Sequence, residues 1–233
     1  MNKRTSIWVT FLVVASLLVF VSASVARADD DDFKRFGIKI GASYIMPDGH
    51  FAQNFTNITE SLGLGQPGIG DALSPMVNLE YFLFKPGTCG IPGTFSAELV
   101  LTVSKHDVTL ANGAVNAGSA WILPPSLFLK YHPCPLACIS PYVGFGFNVV
   151  MPFDEKLAIF DKAVSLSIAD SVGWAVKFGF DIPIYKCKCF NLYYNAEAMY
   201  YDTQTDLKIA GGPTKFNVDI NPWIVFTGVG IRF

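Results

Sequence analysis

Asn221-Pro222-Trp223-Ile224-Val225-Phe226-Thr227-Gly228-Val229-Gly230-Ile231-Arg232-Phe233 closes the chain, and the fold turns on how this stretch is read. Counting back in twos from Phe233 gives Ile231, Val229, Thr227, Val225 and Trp223, a greasy face along the whole run. The other face carries Arg232, Gly230 and Gly228 and turns apolar at Phe226 and Ile224. A strand of this length, starting in Trp and ending in Phe, suits lipid on one side and a narrow lumen on the other. Strands of soluble antiparallel sheets also alternate, so the remainder of the chain has to separate the two readings.

Composition does much of that work. The chain is 51% hydrophobic and 14% aromatic, and its 15% charged residues fall well below the roughly 25% of an ordinary soluble domain. Asn2-Lys3-Arg4, the apolar run Ile7 to Val21 and Ala26-Arg27-Ala28 read as a secretory signal, residues 1–28, cut after Ala28; the run is short of the roughly 20 residues of a spanning helix. No later stretch is long and apolar enough to be one either, so residues 29–233 must place their apolar side chains on strands. Strands cross lipid only in a closed barrel, because an open edge leaves backbone groups unpaired in hydrocarbon. A net charge of −2 gives no reason to expect a nucleic-acid partner.

Gly and Pro punctuation divides the mature part into alternating runs. Arg35 to Ile45 sets Phe36, Ile38, Ile40, Ala42 and Tyr44 against Arg35, Gly37, Lys39, Gly41 and Ser43. Further runs cover Val77–Leu83, Glu98–Val103, Ala120–Tyr131, Pro141–Val150, Val172–Ile182 and Leu192–Tyr201. With the terminal strand this makes about eight, the even count of bacterial barrels. Connections after the second, fourth and sixth runs are compact, whereas those after the first, a Gly-rich loop from Pro47 to Ala72, and the fifth are long. The expected fold is therefore all-β: an eight-stranded antiparallel transmembrane barrel with short periplasmic turns and longer extracellular loops. In the third loop, Asp154 to Asp170, the spacing of Leu157, Phe160, Val164 and Ile168 predicts a short helix.

Trp121-Ile122-Leu123-Pro124-Pro125-Ser126-Leu127 ending in Lys130-Tyr131-His132, then Pro141-Tyr142-Val143-Gly144-Phe145-Gly146, then Asp219-Ile220-Asn221-Pro222-Trp223 and the closing Arg232-Phe233 resemble the OmpW family of outer-membrane proteins. The resemblance covers the whole mature chain and implies a porin-like outer-membrane barrel with a hydrophobic channel, in a family where some members assist uptake of small hydrophobic molecules. It also implies that Phe233 is read by the barrel-insertion machinery. A Leu and a Trp narrow the lumen in such proteins; these positions fall on Val100 and on Val172, with Trp174 two residues on. Alternation from Lys177 points Val172 and Trp174 outward, so a lumen role for them requires a bulge or another register.

Sorted by height, the inward residues Arg35, Lys39, Glu80, Glu98, Lys130, Lys177, Asp181, Glu197 and Arg232 fall in the periplasmic or middle part. Val100, Ile122, Met199, Ile220 and Ile224 fall in the middle or external part. An eight-stranded barrel is barely wide enough for its own side chains, so those charges should pair across the lumen as a plug beneath an apolar cup. The functional expectation is passive uptake of a small hydrophobic solute, entering the cup where lipopolysaccharide blocks other routes and leaving sideways into lipid. The alternative is a non-transporting barrel serving envelope integrity or acting as a surface receptor.

Cys89, Cys134, Cys138, Cys187 and Cys189 all fall in the short turns, on the oxidising side of this topology. Disulfides within or between turns are one reading, and the odd count leaves at least one thiol over. Zinc held by Cys134, Cys138 and His132 is the other, although no second pair completes a conventional motif. His50, His106 and His132 are scattered outside any catalytic context, so neither an enzyme nor a cofactor is expected.

Overall fold

Period-two sequence becomes a closed cylinder. Its staves are β1 (Phe36–Met46), β4 (Ala72–Phe82), β5 (Thr94–Thr102), β8 (Ser126–His132), β9 (Ser140–Ile159), β12 (Ser171–Lys186), β13 (Asn191–Asp202) and β16 (Trp223–Arg232). Each pairs antiparallel with the next, and β16 returns to β1 from Gly37↔Arg232 to Met46↔Trp223. Reciprocal backbone bonds at 2.9 and 2.7 Å between Phe36 and Phe233 finish that seam. The computed structural model describes residues 33–51, 53–61, 63, 65–86, 90, 92–110, 115–133, 138–159, 162–164, 166–168, 170–209 and 215–233. The expected signal sequence, residues 1–28, lies outside them.

Alternation sorts the side chains as the sequence predicts. Ile40, Phe145, Phe178 and Val229 are each more than half exposed on the outside, whereas Lys39, Asn78, Glu98 and Lys130 on the inside are fully buried. Two aromatic belts bound the apolar band. At the loop end Phe145, Trp174, Tyr200 and Trp223 follow one another round the wall with ring centroids 6.5, 6.0 and 5.2 Å apart. At the turn end Phe36 meets Tyr81 and Phe233, and Phe95 meets Phe84 and Tyr131. Between the belts β16 runs for 10 residues; at about 3.3 Å each and a tilt near 40°, that spans about 25 Å, the height of an outer-membrane apolar band.

Above the outer belt the sheet continues. β6 (Ser104–Leu110) and β7 (Val115–Leu123) form a hairpin that joins β9, and β3 (Gly68–Ile69) and β10 (Lys162–Val164) extend the same sheet. A second sheet orders β11 (Leu166–Ile168), β14 (Gln204–Ile209), β15 (Lys215–Ile220) and β2 (Gly49–Phe51).

Three local expectations are corrected. The helix expected within Asp154–Asp170 is replaced by strand: β9 runs on to Ile159, Lys162–Val164 folds back on Leu157–Ile159, and Leu166–Ile168 pairs β14. Leu157, Val164 and Ile168 fit either period, and the neighbouring strands β7 and β14 supply ladder partners that tip the balance. The run Ala120–Tyr131 divides at Pro124-Pro125, where two residues without N–H end β7 before β8 begins. The Gly-rich first loop contains a helix, α1 (Gln53–Ser61), followed by Gly63 at φ 72°, whose N–H donates to Glu60 O at 2.9 Å as a left-handed C-terminal stop.

Replacing the outward Ile40 by Arg should reduce folding stability in lipid by about 2–4 kcal/mol, the cost of a charge near mid-bilayer on a barrel's outer face. Urea titration in phospholipid vesicles measures it; a change below about 1 kcal/mol would mean that this face does not meet lipid.

Candidate functional site: a three-tier lumen

The lumen is filled in layers, starting at the turn end with six charges. β4 and β5 place Glu80 and Glu98 directly opposite each other, a like-charge pair that is unfavourable alone. Lys130 on β8 answers both, its Nζ 2.8 Å from Glu80 Oε1 and 3.2 Å from Glu98 Oε1. Lys39 on β1 reaches Glu98 at 2.6 Å and both Glu80 and Glu197 at 3.7 Å. Lys177 on β12 pairs with Glu98 and, at 3.2 Å, with Glu197 on β13. Three ammonium groups thus meet three carboxylates, all with side chains out of contact with solvent.

Neutral groups complete the tier. Ser96 donates to Glu80 at 2.6 Å, and His132 Nε2 lies 3.0 Å from the same oxygen. Tyr142 donates to Glu197 at 2.6 Å, and Asn78 does so at 2.9 Å. Lys130 also sits 3.9 Å above the Tyr142 ring. Gly144 lies between Lys130 and Lys177 in the sheet, and a Cβ there would come within 2.8 Å of Lys177 Cγ and 3.0 Å of Lys130 Cγ. Lack of a side chain at this position is what lets two lysines stand side by side.

The other three expected members flank this cluster. Asp181 accepts from Asn195 at 2.7 Å, Arg232 lies 3.5 Å over the Phe82 ring, and Arg35 donates to Leu83 O at 3.2 Å near the rim.

A dry tier follows. Met76, Val100, Phe128, Met199 and Phe226 pack together with at most 1% exposure, and the Phe128 ring lies 4.5 Å from Lys177 Nζ. Val100 and Met199, expected on the wall of the cup, belong to this packed floor beneath it.

The cup is the third tier, holding about 490 Å³ including its open mouth. Ile122, Ile220 and Ile224 line it, joined by Ile45, Ile69, Pro124, Val150 and Tyr201. Val172 and Trp174 stand outside, 71% and 44% exposed. No bulge interrupts β12 between Ser171 and Asp181 along β9, so alternation from Lys177 carries both to the lipid side, where Trp174 joins the outer belt. Neither narrows the lumen.

Beside the cup the wall ladder is interrupted on both flanks of Val103. β4–β5 pairing stops at Met76↔Thr102 and resumes across Gly70 N–H to Asp107 O, leaving Asp71–Pro75 and Val103–His106 without backbone ladder pairs to each other. Side chains bridge the space: Thr102 donates to Pro75 O, and His106 Nδ1 meets Gly70 O, both at 2.9 Å. On the other flank, pairing lapses between Val100↔Ser126 and Ser104↔Ile122, opposite Pro124-Pro125.

Family comparison agrees with this architecture. The family model described as the OmpW family matches residues 35–233. The chain belongs to the OmpW family. An outer-membrane protein of Sinorhizobium fredii, y4mB, is 28% identical over 187 residues, covering 76% of this chain and 75% of its own. Outer membrane protein W of Vibrio cholerae is 28% identical over 145 residues, covering 58% and 65%. The crystal structure of OprG from Pseudomonas aeruginosa superimposes with a TM-score of 0.65 at 22% identity, covering 88% of this chain and 99% of that one. This OmpW-family barrel is an outer-membrane protein.

The cysteine expectations fare differently. Cys89 and Cys134 lie outside the described residues. Cys138 and Cys189 are exposed free thiols, and Cys187 Sγ is engaged with the backbone of Phe190 at 3.2 and 3.3 Å. Among the described residues no disulfide joins Cys138 or Cys189. His132, required by the zinc reading, faces the lumen against Glu80 because it shares the inward parity of Lys130 on β8.

Replacing Lys130 by Met leaves Glu80 and Glu98 opposed without their shared cation. Unfolding by urea in detergent micelles should show a loss of about 3–5 kcal/mol, the usual result of breaking a buried pair from one side. A loss below about 1 kcal/mol would show that water already screens these carboxylates.

Proposed function

We propose that this OmpW-family barrel admits small hydrophobic solutes from the cell surface into its apolar cup and releases them sideways into the outer membrane. The observation that carries the proposal is the tiering itself: an open apolar cup stands over a packed floor and a neutral set of paired charges. A solute moving straight down would have to part ion pairs that have no access to water, which is strongly unfavourable. The sideways route has the weaker wall. Ser104, His106 and Ile69 line the cup and flank the interrupted ladder, whose outer surface carries Leu73, 76% exposed, and Val103, 38% exposed. This interruption spans the level of Ala42 to Ile45 on β1, next to the outer aromatic belt, so a solute leaving there meets the lipid chains of the outer leaflet. Lipopolysaccharide and the membrane lipids are the surroundings on which this reading depends. Insertion of the barrel through recognition of Phe233 belongs to the same proposal.

A non-transporting structural or receptor barrel is the competing reading. The two separate in vesicles carrying lipopolysaccharide in the outer leaflet and loaded with the wild-type protein, Ile122→Lys or Ile224→Lys. Wild-type protein should deliver a radiolabelled alkane into the membrane several-fold faster than either variant. Equal rates would reject uptake and favour the structural class.

A further inference from the structure

The cup is not uniformly apolar. Of the described side chains lining it, Ser104, His106, Asn148, Tyr201 and Thr203 are polar, and none carries a formal charge when the imidazole is neutral. All five are buried, so the way they satisfy one another fixes what they can offer to a ligand, and Tyr201 gives its hydroxyl hydrogen to Met199 Sδ at 3.7 Å.

His106 settles the first pair. Its Nδ1 lies 2.9 Å from the carbonyl oxygen of Gly70, which can only accept, so Nδ1 bears the hydrogen. In the neutral ring Nε2 is then an acceptor, and it takes the hydroxyl hydrogen of Ser104 at 2.9 Å. The Ser104 oxygen is left with lone pairs only. On another stave, Asn148 Nδ2 donates one hydrogen to Thr203 Oγ1 at 3.1 Å and Thr203 Oγ1 donates to Asn148 Oδ1 at 3.4 Å, which leaves the second Asn148 N–H to donate. The described lining therefore offers hydroxyl lone pairs, foremost at Ser104, and the Asn148 N–H as donor in an apolar surround, with no cation.

Resting on the uptake reading above, we propose that the preferred solutes are neutral amphiphiles with a single hydroxyl head, such as medium-chain alcohols, in preference to hydrocarbons or carboxylates. A hydroxyl gives its hydrogen to Ser104 Oγ and takes one from Asn148 Nδ2 while its chain lies among Ile45, Ile122 and Ile224. A hydrocarbon of equal length displaces water from both polar groups and returns no hydrogen bond. A carboxylate brings negative charge to the Ser104 lone pairs with no ammonium or guanidinium among the lining residues to offset it.

The test compares radiolabelled 1-octanol, n-octane and octanoate by equilibrium partition into protein-loaded over empty lipid nanodiscs at pH 7, using the full mature chain. Wild-type protein should hold octanol about tenfold tighter than octane after correction for the lipid, with octanoate weakest, the difference of about one well-formed hydrogen bond. In Ser104→Ala, checked for the heat-dependent gel shift of a folded barrel, the octanol-to-octane ratio should fall toward unity. Equal binding of octanol and octane by the wild-type protein overturns the proposal while leaving hydrophobic uptake intact, and needs no variant to fold. A ratio unchanged in folded Ser104→Ala also overturns it. No excess binding of any of the three solutes overturns the uptake reading as well.

Discussion

Room for eight strands and no more is the constraint from which the molecule follows. A cylinder of this size encloses little beyond its own side chains, so any charge that turns inward must find its counter-charge inside. Lys39, Lys130 and Lys177 converge on Glu80, Glu98 and Glu197 from six different staves, and the pairs Lys39–Glu98, Lys39–Glu197, Lys130–Glu80 and Lys177–Glu98 tie staves that are not adjacent in the wall. Glycine at position 144 and the hydroxyls and amides of Ser96, Tyr142 and Asn78 are the accommodations that make such crowding possible.

Height in the barrel then assigns chemistry. At the turn end the charges are paired with one another. Above them Phe128, Val100 and Met199 form a dry lid. Above the lid the cylinder opens into the cup. Its loop-end wall is also where the ladder is interrupted around Val103, so the open apolar space and the interrupted stretch of wall coincide. A continuous ladder below and an interrupted one above come from one sequence, in which Pro75, Pro124 and Pro125 lack the N–H that a ladder needs.

Much of this was legible in the sequence because a strand has a strict period. Parity placed Lys39, Glu98 and Lys177 inside and Ile40, Phe145 and Val229 outside without reference to any fold. The same parity put Val172 and Trp174 on the lipid side, against the family correspondence, and parity prevailed. Where the chain leaves the membrane the rule weakens. Leu157, Val164 and Ile168 fit a helix as well as a hairpin, and only the position of β7 and β14 decides between them. Partners such as His132 and Tyr142 carried no signal beyond their parity, since their role depends on which carboxylate lies across the lumen. Val100 and Met199 were correctly inward, but alternation does not report depth closely enough to separate floor from wall.

The paired charges are the central claim, and solid-state NMR of the protein in lipid bilayers tests it most directly. Selective labelling should give through-space cross-peaks from Lys Nζ to Glu carboxyl carbons for Lys39, Lys130 and Lys177, with slow magnetisation transfer from water. Rapid water transfer to those three ammonium groups and no carboxyl cross-peaks would mean a hydrated lumen, and the tiered account would fall.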